Sequence, residues 1–240
     1  MPALSHLWLV RHGQSAGNVA RDAAELSGAA MIEIQGRDMD VPLSPLGEQQ
    51  ARALGHWFQQ QEVRPTLILA SPYARAAQTA VLIGQAIGTT TVVDERLREK
   101  EFGRLNRLTR AGIIARFPEE AEERGKVGKF YYRPPGGESW CDVLLRVRSV
   151  VDHIRMSYAN ERVVIVAHQV IVLCARYVLE RLEEQTLLAI DAAGDVANCG
   201  LTTYLGDEAG TLTLASYNFV APLEATDTPV TVAPDPGTRT

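Results

Sequence analysis

A junction that recurs along the chain, a short apolar run followed at once by polar residues, limits the folds available to it. The run from Leu7 to Val10 leads into Arg11-His12-Gly13, Thr66 to Ala70 into Ser71-Pro72, and Arg162 to Ala167 into His168. Apolar runs without alternation belong to strands buried on both faces, which is the pattern of a parallel sheet covered by helices. Thr90 to Val93 supplies one more such strand. Between the runs lie helix signals. Ser44 as N-cap, Pro45 at the first helical position and Glu48 in the first turn predict a helix to about Gln61. Ser71-Pro72 repeats the signal and predicts a second, to about Ile87. After Arg133-Pro134-Pro135-Gly136-Gly137, Glu138-Ser139 opens a helix with Val143, Leu144, Val147, Val150, Val151 and Ile154 at helical spacing. Gly200 to Leu205 and Leu212 to Tyr217, joined by Gly-Asp-Glu-Ala-Gly, predict an antiparallel edge hairpin.

The expected fold is therefore α/β, a three-layer α/β/α sandwich with a mostly parallel central sheet. The charged residues 95 to 137 form a helical excursion over one end of it. A single domain is expected over residues 1–221, because 240 residues at 46% hydrophobic content suffice for one core. Residues 222–240, rich in Pro, Thr and Asp, are expected to be mostly disordered. The segment from Val19 to Asp40 is expected either to cap a pocket or to serve a homo-oligomer contact.

Net charge of -5 argues against nucleic acid as a partner, since such proteins carry a basic face. The three cysteines, Cys141, Cys174 and Cys199, are widely spaced and form no CxxC pair, so buried free thiols are expected rather than disulfides or a zinc site. No apolar stretch approaches bilayer length, and the opening run is broken by His6; a cytoplasmic protein with no membrane partner is the expectation.

In an open parallel sheet, ligands collect beyond the carboxyl ends of the strands. Arg11, His12, Arg75 and His168 are placed at or near those ends. If their strands are neighbours, the two imidazoles face one another across one cleft. A single histidine after a strand is more often a satisfied structural residue; two converging with two arginines point to chemistry on an anion. Guanidinium groups donate paired hydrogen bonds to phosphate and keep their charge at any working pH. A neutral imidazole nitrogen is a good in-line nucleophile. The arginines also lower the cost of bringing a dianion against it, a role elsewhere served by magnesium, so neither metal nor cofactor is expected.

The segments LVRHGQSAGN, SPYARAAQTA, LREKEFG and VVIVAHQ, in that order and spacing, resemble the histidine phosphatase superfamily, the phosphoglycerate mutase-like proteins. The resemblance spans roughly residues 5 to 205. It implies a phosphohistidine on His12, a phosphate pocket from Arg11, Arg75 and His168, an additional phosphate contact from Asn18, and a general acid within LREKEFG. Glu99, two residues after Leu97, matches the family's acid; Glu101 is its rival and otherwise a phosphate or solvent contact.

Within the family the FG segment resembles the phosphatase branch, although Leu105-Asn106-Arg107 stands where Trp-Glu-Gly is usual. Tyr131-Tyr132-Arg133-Pro134-Pro135-Gly136-Gly137-Glu138-Ser139, taken with His168-Gln169, is similar to the bisphosphatase domain of fructose-2,6-bisphosphatases. That similarity implies substrate contacts from Tyr132, Arg133 and Gln169; the alternative for the Tyr-Tyr-Arg run is a packed aromatic pair with a surface arginine. Leu173 departs from it, standing where an arginine is usual, with Arg176 nearly a turn further on. Arg104, Arg107, Arg110 and Arg116 are either further anion contacts or solvated. The expected activity is hydrolysis of a small phosphorylated metabolite. A mutase that returns the phosphoryl group to its substrate, and a non-catalytic phospho-ligand binder, are the alternatives.

Overall fold

The computed structural model describes residues 4–232. Strand β1 (His6–Arg11) is followed by helix α1 (Ala16–Ser27), which Ser15 and Asn18 open with a reciprocal capping box. Helix α2 (Pro45–Gln60) starts as the sequence predicts: the Ser44 side chain accepts from the Gly47 N–H and Pro45 occupies the first turn. Strand β2 (Leu67–Ala70) then leads to α3 (Ala74–Ile87) and β3 (Thr91–Val93). Here the prediction misplaces the helix start. Ser71 does not cap α3, which begins three residues later with Tyr73 at its N-cap and no capping side chain. The Ser71 hydroxyl is engaged instead by the Tyr73 N–H at 3.2 Å and by His168.

The excursion consists of short 3-10 turns at Glu95–Leu97 and Gly103–Leu105 and two short helices, α4 (Arg110–Arg116) and α5 (Pro118–Val127). Helix α6 (Trp140–Ser157) opens on a second capping box, between Ser139 and Asp142. Strand β4 (Arg162–Ala167), α7 (Gln169–Glu180), α8 (Glu184–Ala193) and the hairpin of β5 (Leu201–Gly206) with β6 (Leu212–Phe219) complete the sheet; α9 (Ala221–Glu224) follows.

The sheet order is β3-β2-β4-β1-β5-β6. The first four strands are parallel, while β5 pairs antiparallel with β1 and β6 with β5, which is the predicted edge hairpin. Because strand side chains alternate faces, the apolar runs divide by parity. Leu7, Leu9, Leu67, Leu69, Val163 and Ile165 pack with α6 and α7 on one face. Trp8, Val10, Ile68, Ala70, Val164 and Val166 pack with α2 and α3 on the other. Two apolar cores thus sandwich the sheet, and neither face of a central strand meets water.

The tail departs from expectation. Pro222 and Leu223 are buried, and Gln50 donates to the Pro229 carbonyl and the Thr231 hydroxyl, both at 2.9 Å. Polar composition predicts disorder because little apolar area is available to offset chain entropy. Here one buried leucine and a few buried amide contacts hold the chain as far as residue 232. Residues 233–240 of the predicted tail lie outside the described residues. Among the cysteines, Cys174 and Cys199 are buried, while Cys141 is only partly so. No helix among the described residues is long and apolar enough to cross a membrane.

Candidate active site

Strands β1, β4 and β2 are neighbours, so their carboxyl ends deliver Arg11 and His12, His168, and Ser71 side by side. The His12 and His168 rings lie 5.1 Å apart between centroids, at 65°. Both are buried, at 3% and 0% exposure. His12 forms the floor of an open cleft further lined by Arg11, Ser15, Asn18, Arg75, Glu99 and, at its outer wall, Ile32, Ile34, Phe102 and Arg107, with His168 packed against His12 and Glu99 beneath it.

The loop after β1 is fully accounted for in hydrogen bonds. The His12 N–H donates to the Ala167 carbonyl at 2.9 Å, the Gly13 N–H to Thr79 Oγ1 at 3.1 Å, and the Gln14 N–H to Gln50 Oε1 at 2.8 Å. Its backbone also lies against the start of α2: a Cβ on Gly47 would sit 1.9 Å from the Gln14 carbonyl oxygen. Only glycine permits that approach. The His12 ring is set by this loop too, because Nδ1 lies 2.7 Å from the Gly13 carbonyl. A carbonyl only accepts, so Nδ1 carries the proton and Nε2 keeps the lone pair.

Electrostatics agree with that protonation state. Burial, then the Arg75 and Arg11 guanidinium charges, hold the His12 imidazole well below its ordinary value of 6.5. His168 is lowered well below that value in the same way, first by burial and then by Arg75, His12, Arg146 and Arg11. Between pH 6.5 and the lowered folded values, the unfolded chain binds protons that the folded chain refuses, so stability falls as pH falls. Each group contributes at most about 1.4 kcal/mol per pH unit, the limit approached well below pH 6.5. Urea unfolding of the protein between pH 6.5 and 5.5 is expected to show this acid-side loss, smaller by about 1 kcal/mol over that unit in His12→Asn. Equal slopes would contradict it.

Arg11, 2% exposed, donates to Gln169 Oε1 at 3.0 Å and to the Val196 carbonyl at 2.5 Å; Gln169 in turn donates to Asp195 at 2.9 Å. Gln169 therefore braces Arg11 from behind and does not line the cleft, contrary to the substrate contact expected of it. Asn18 Oδ1 accepts from the Ser15 N–H at 2.9 Å and the Ser15 hydroxyl at 3.1 Å, which turns the amide oxygen into the helix cap. Asn18 and Gly17 line the cleft at the N-terminus of α1, an end whose dipole favours anions.

Arg75, on the first turn of α3, packs over the Tyr73 ring at 4.9 Å and is held by Asp38, at 2.9 Å to the carbonyl and 3.2 Å to the carboxylate. Asp38 was not singled out from sequence. Its carboxylate occupies donors that a phosphoryl group would need. A partly exposed ion pair is worth roughly 0.2–1 kcal/mol, so Asp38→Asn is expected to tighten binding of inorganic phosphate by up to about fivefold. Calorimetry or competitive inhibition would check this, and weaker binding would overturn it.

Glu99 and Glu101 separate cleanly. Glu99, 7% exposed, lines the cleft with Oε2 3.4 Å from His168 Nδ1, a close approach without hydrogen-bond alignment, and its Oε1 accepts from the Lys100 N–H at 2.8 Å. Glu101 lies outside the cleft lining and accepts from the Tyr73 hydroxyl at 2.9 Å. The segment carrying Glu99 is stitched down by Arg146 of α6, another residue sequence reasoning missed. It donates to the carbonyls of Arg96 at 2.6 Å, Arg98 at 2.8 Å and Glu99 at 3.3 Å, and pairs with Glu138 at 3.0 Å. Glu138 accepts in addition from the Glu101 N–H at 3.1 Å, so it orders the acid-bearing segment.

Tyr132 and Arg133 are not in the site. The Tyr132 hydroxyl donates to Glu120 at 2.7 Å from a small apolar cluster with Leu105, Leu108 and Ile113. Arg133 is 62% exposed and pairs with Asp142. Arg176 pairs with Glu180 at 2.8 Å and stacks on Tyr217, while Leu173 is core. Of the arginines after the acid segment, Arg107 reaches the cleft, whereas Arg104 packs on Phe117. Arg107 takes a left-handed φ of 63° and donates to the carbonyls of Ile34, at 3.3 Å, and Gly36. The segment from Val19 to Asp40 contributes Ile32, Ile34 and Asp38 to the cleft lining.

A family profile described as the histidine phosphatase superfamily (branch 1) matches residues 7–219. Among curated proteins, the 6-phosphofructo-2-kinase/fructose-2,6-bisphosphatase of Caenorhabditis elegans is 33% identical over 168 residues, 70% of this chain and 32% of that protein. This chain thus spans about a third of that relative. The probable phosphoglycerate mutase GpmB of Photorhabdus laumondii is 32% identical over 170 residues, covering 70% of this chain and 71% of the relative. Among solved structures, a mycobacterial glucosyl-3-phosphoglycerate phosphatase aligns with a TM-score of 0.69 at 30% identity, over 89% of this chain and 99% of the other. Bacillus stearothermophilus YhfR aligns with a TM-score of 0.74 at 27% identity, over 91% and 98%. With the profile covering most of the chain and the same α/β architecture in these relatives, the chain belongs to the histidine phosphatase superfamily, branch 1.

Proposed function

We propose that the protein hydrolyses phosphomonoesters of small metabolites through a phosphohistidine on His12. The observation that carries this reading is the His12 ring itself, with Nδ1 bound to the Gly13 carbonyl and the neutral Nε2 facing a cleft lined by Arg11 and Arg75. The likeness to a mycobacterial phosphatase over nearly the whole chain supports hydrolysis as the outcome.

The chemistry runs in two steps. His12 Nε2 attacks phosphorus, a P–N bond forms, and the P–O bond to the alcohol breaks as protonated Glu99 gives its proton to the leaving oxygen. Arg11, Arg75, His168 and the N-terminus of α1 bear on the charge spread over the equatorial oxygens, and Asp38 yields its hold on Arg75. Water then attacks the phosphorus of phosphohistidine, Glu99 takes its proton, and the P–N bond breaks to release inorganic phosphate. The incoming dianion favours the protonated form of Glu99 before the first step, and giving that proton to the alcohol leaves the carboxylate ionised for the second. Two guanidinium groups supply the positive charge that the transfer needs, so the reading requires no metal. Three unpaired cysteines favour a reducing, cytoplasmic setting.

The test is a screen of sugar phosphates, phosphoglycerates, nucleotides and phosphopeptides in chelator. Release of inorganic phosphate from at least one small ester is expected. Likeness to GpmB makes mutase action the competing outcome. Interconversion of phosphoglycerates with a bisphosphoglycerate primer, faster than phosphate release, would replace hydrolysis with transfer.

A further inference from the structure

The His12 loop is closed from beneath by a one-way ring of hydrogen bonds that passes through the C-terminal segment. The Gln14 N–H donates to Gln50 Oε1 at 2.8 Å, and Gln50 Nε2 donates to Thr231 Oγ1 at 2.9 Å. Thr231 Oγ1 donates to Asn198 Oδ1 at 2.9 Å, and Asn198 Nδ2 donates to the His12 carbonyl at 3.0 Å. The ring therefore begins and ends two residues apart, on either side of Gly13. Its polarity is forced: a backbone N–H requires the Gln50 oxygen, which turns the Gln50 amide NH2 to Thr231, whose hydroxyl must then donate onward.

Gln50 and Asn198 are both 0% exposed, so neither can replace a lost partner with water. The strap is fixed independently of the hydroxyl, by Asn198 N–H to the Thr231 carbonyl at 2.9 Å, Gln50 Nε2 to the Pro229 carbonyl at 2.9 Å, and the Thr228 N–H to the Leu223 carbonyl at 3.0 Å. Removing the hydroxyl alone takes the acceptor from one of the two Gln50 Nε2 hydrogens, the other staying on the Pro229 carbonyl, and takes the hydroxyl donor from Asn198 Oδ1. The relief open to them is rotation of either amide, which releases Gln14 or His12 from the ring. A shift of about 1 Å in an attacking atom costs on the order of 100-fold in rate, and His12 is the attacking residue.

We propose that Thr231 is a positioning residue for His12, and that the strap from Pro229 to Val232 fixes the nucleophile's line of attack. This rests on the phosphohydrolase reading above. Thr231→Val keeps shape and removes the hydroxyl, whereas Thr231→Ser keeps the hydroxyl. With an aryl phosphate, Thr231→Val is expected to lower kcat about tenfold with KM within about twofold, and to accelerate amide hydrogen exchange in the peptide spanning residues 12–18. Thr231→Ser is expected to restore both. The proposal is overturned by an unchanged kcat in Thr231→Val, by a kcat loss with unchanged exchange of the loop, or by a serine variant as impaired as the valine one. If the unsubstituted protein releases no phosphate from any ester, the hydrolase reading fails first and the positioning role with it. That result is told apart because it precedes any substitution.

Discussion

Replacing His12 with alanine is expected to remove turnover of 4-nitrophenyl phosphate in the presence of EDTA, with kcat/KM lower by at least about 10,000-fold. The size of the effect follows from what the residue does. Without Nε2 there is no P–N bond, and the remaining groups can only polarise a phosphoryl group for direct attack by water. They still bind it. Arg11 and Arg75 keep their positions on β1 and α3, so inorganic phosphate is expected to bind His12→Ala within about fivefold of its affinity for the unsubstituted protein. A second readout is the covalent state: brief mixing with labelled substrate and quenching in alkali should trap acid-labile phosphate on the protein and none on the variant. Undiminished turnover in His12→Ala would sink the mechanism outright.

The second large effect belongs to Glu99, and its signature lies in the leaving group. Glu99→Gln is expected to lower kcat about 100- to 10,000-fold for alkyl phosphates, whose alkoxides need a proton as they depart. Nitrophenolate departs without one, so the variant should release it in a rapid burst. Slow turnover follows, because the same carboxylate is then missing as the base that activates water. Phosphohistidine should accumulate during that slow phase. Glu101→Gln is expected to stay within about fivefold for both substrate types, since Glu101 bonds the Tyr73 hydroxyl outside the cleft lining. Leaving-group dependence appearing in Glu101→Gln, with none in Glu99→Gln, would reverse the assignment.

His12 was legible in the sequence for local reasons, whereas Glu99 was reached only through the resemblance of LREKEFG. Buried strands announce themselves as unbroken apolar runs, and in a parallel sheet their carboxyl ends converge, so His12 and His168 could be placed together before any coordinate. Helix starts with a strong side-chain cap, at Ser44 and Ser139, were equally readable. Ser71 carried the same cap signal and misled, because its hydroxyl is drawn to His168 by a neighbouring strand. What a side chain faces depends on packing that spacing does not contain. Tyr132, Arg133 and Gln169 sit in motif-like runs, yet the first faces an apolar cluster, the second faces water and the third supports Arg11. Asp38, Gln50, Arg146 and Asn198 were missed for the converse reason. Each acts on a segment far away in sequence, and none lies in a pattern that local propensity creates.

The outer wall of the cleft is built differently from its floor. Residues 29–36 and 105–112 are braced to each other: the Ile32 N–H donates to the Arg107 carbonyl at 2.8 Å, the Thr109 hydroxyl to the Ala29 carbonyl at 2.7 Å, and a Cβ on Gly112 would lie 1.9 Å from the Ala30 carbonyl oxygen. The two histidines stand at strand ends; the wall is two segments locked together. Recognition can therefore be exchanged as a cassette. Transplanting both segments from a relative keeps their mutual bracing and leaves the strand ends untouched, whereas grafting either one alone places a foreign backbone against Gly112 or Arg107. A library aimed at new esters is best built from paired segments, not from point changes on one of them.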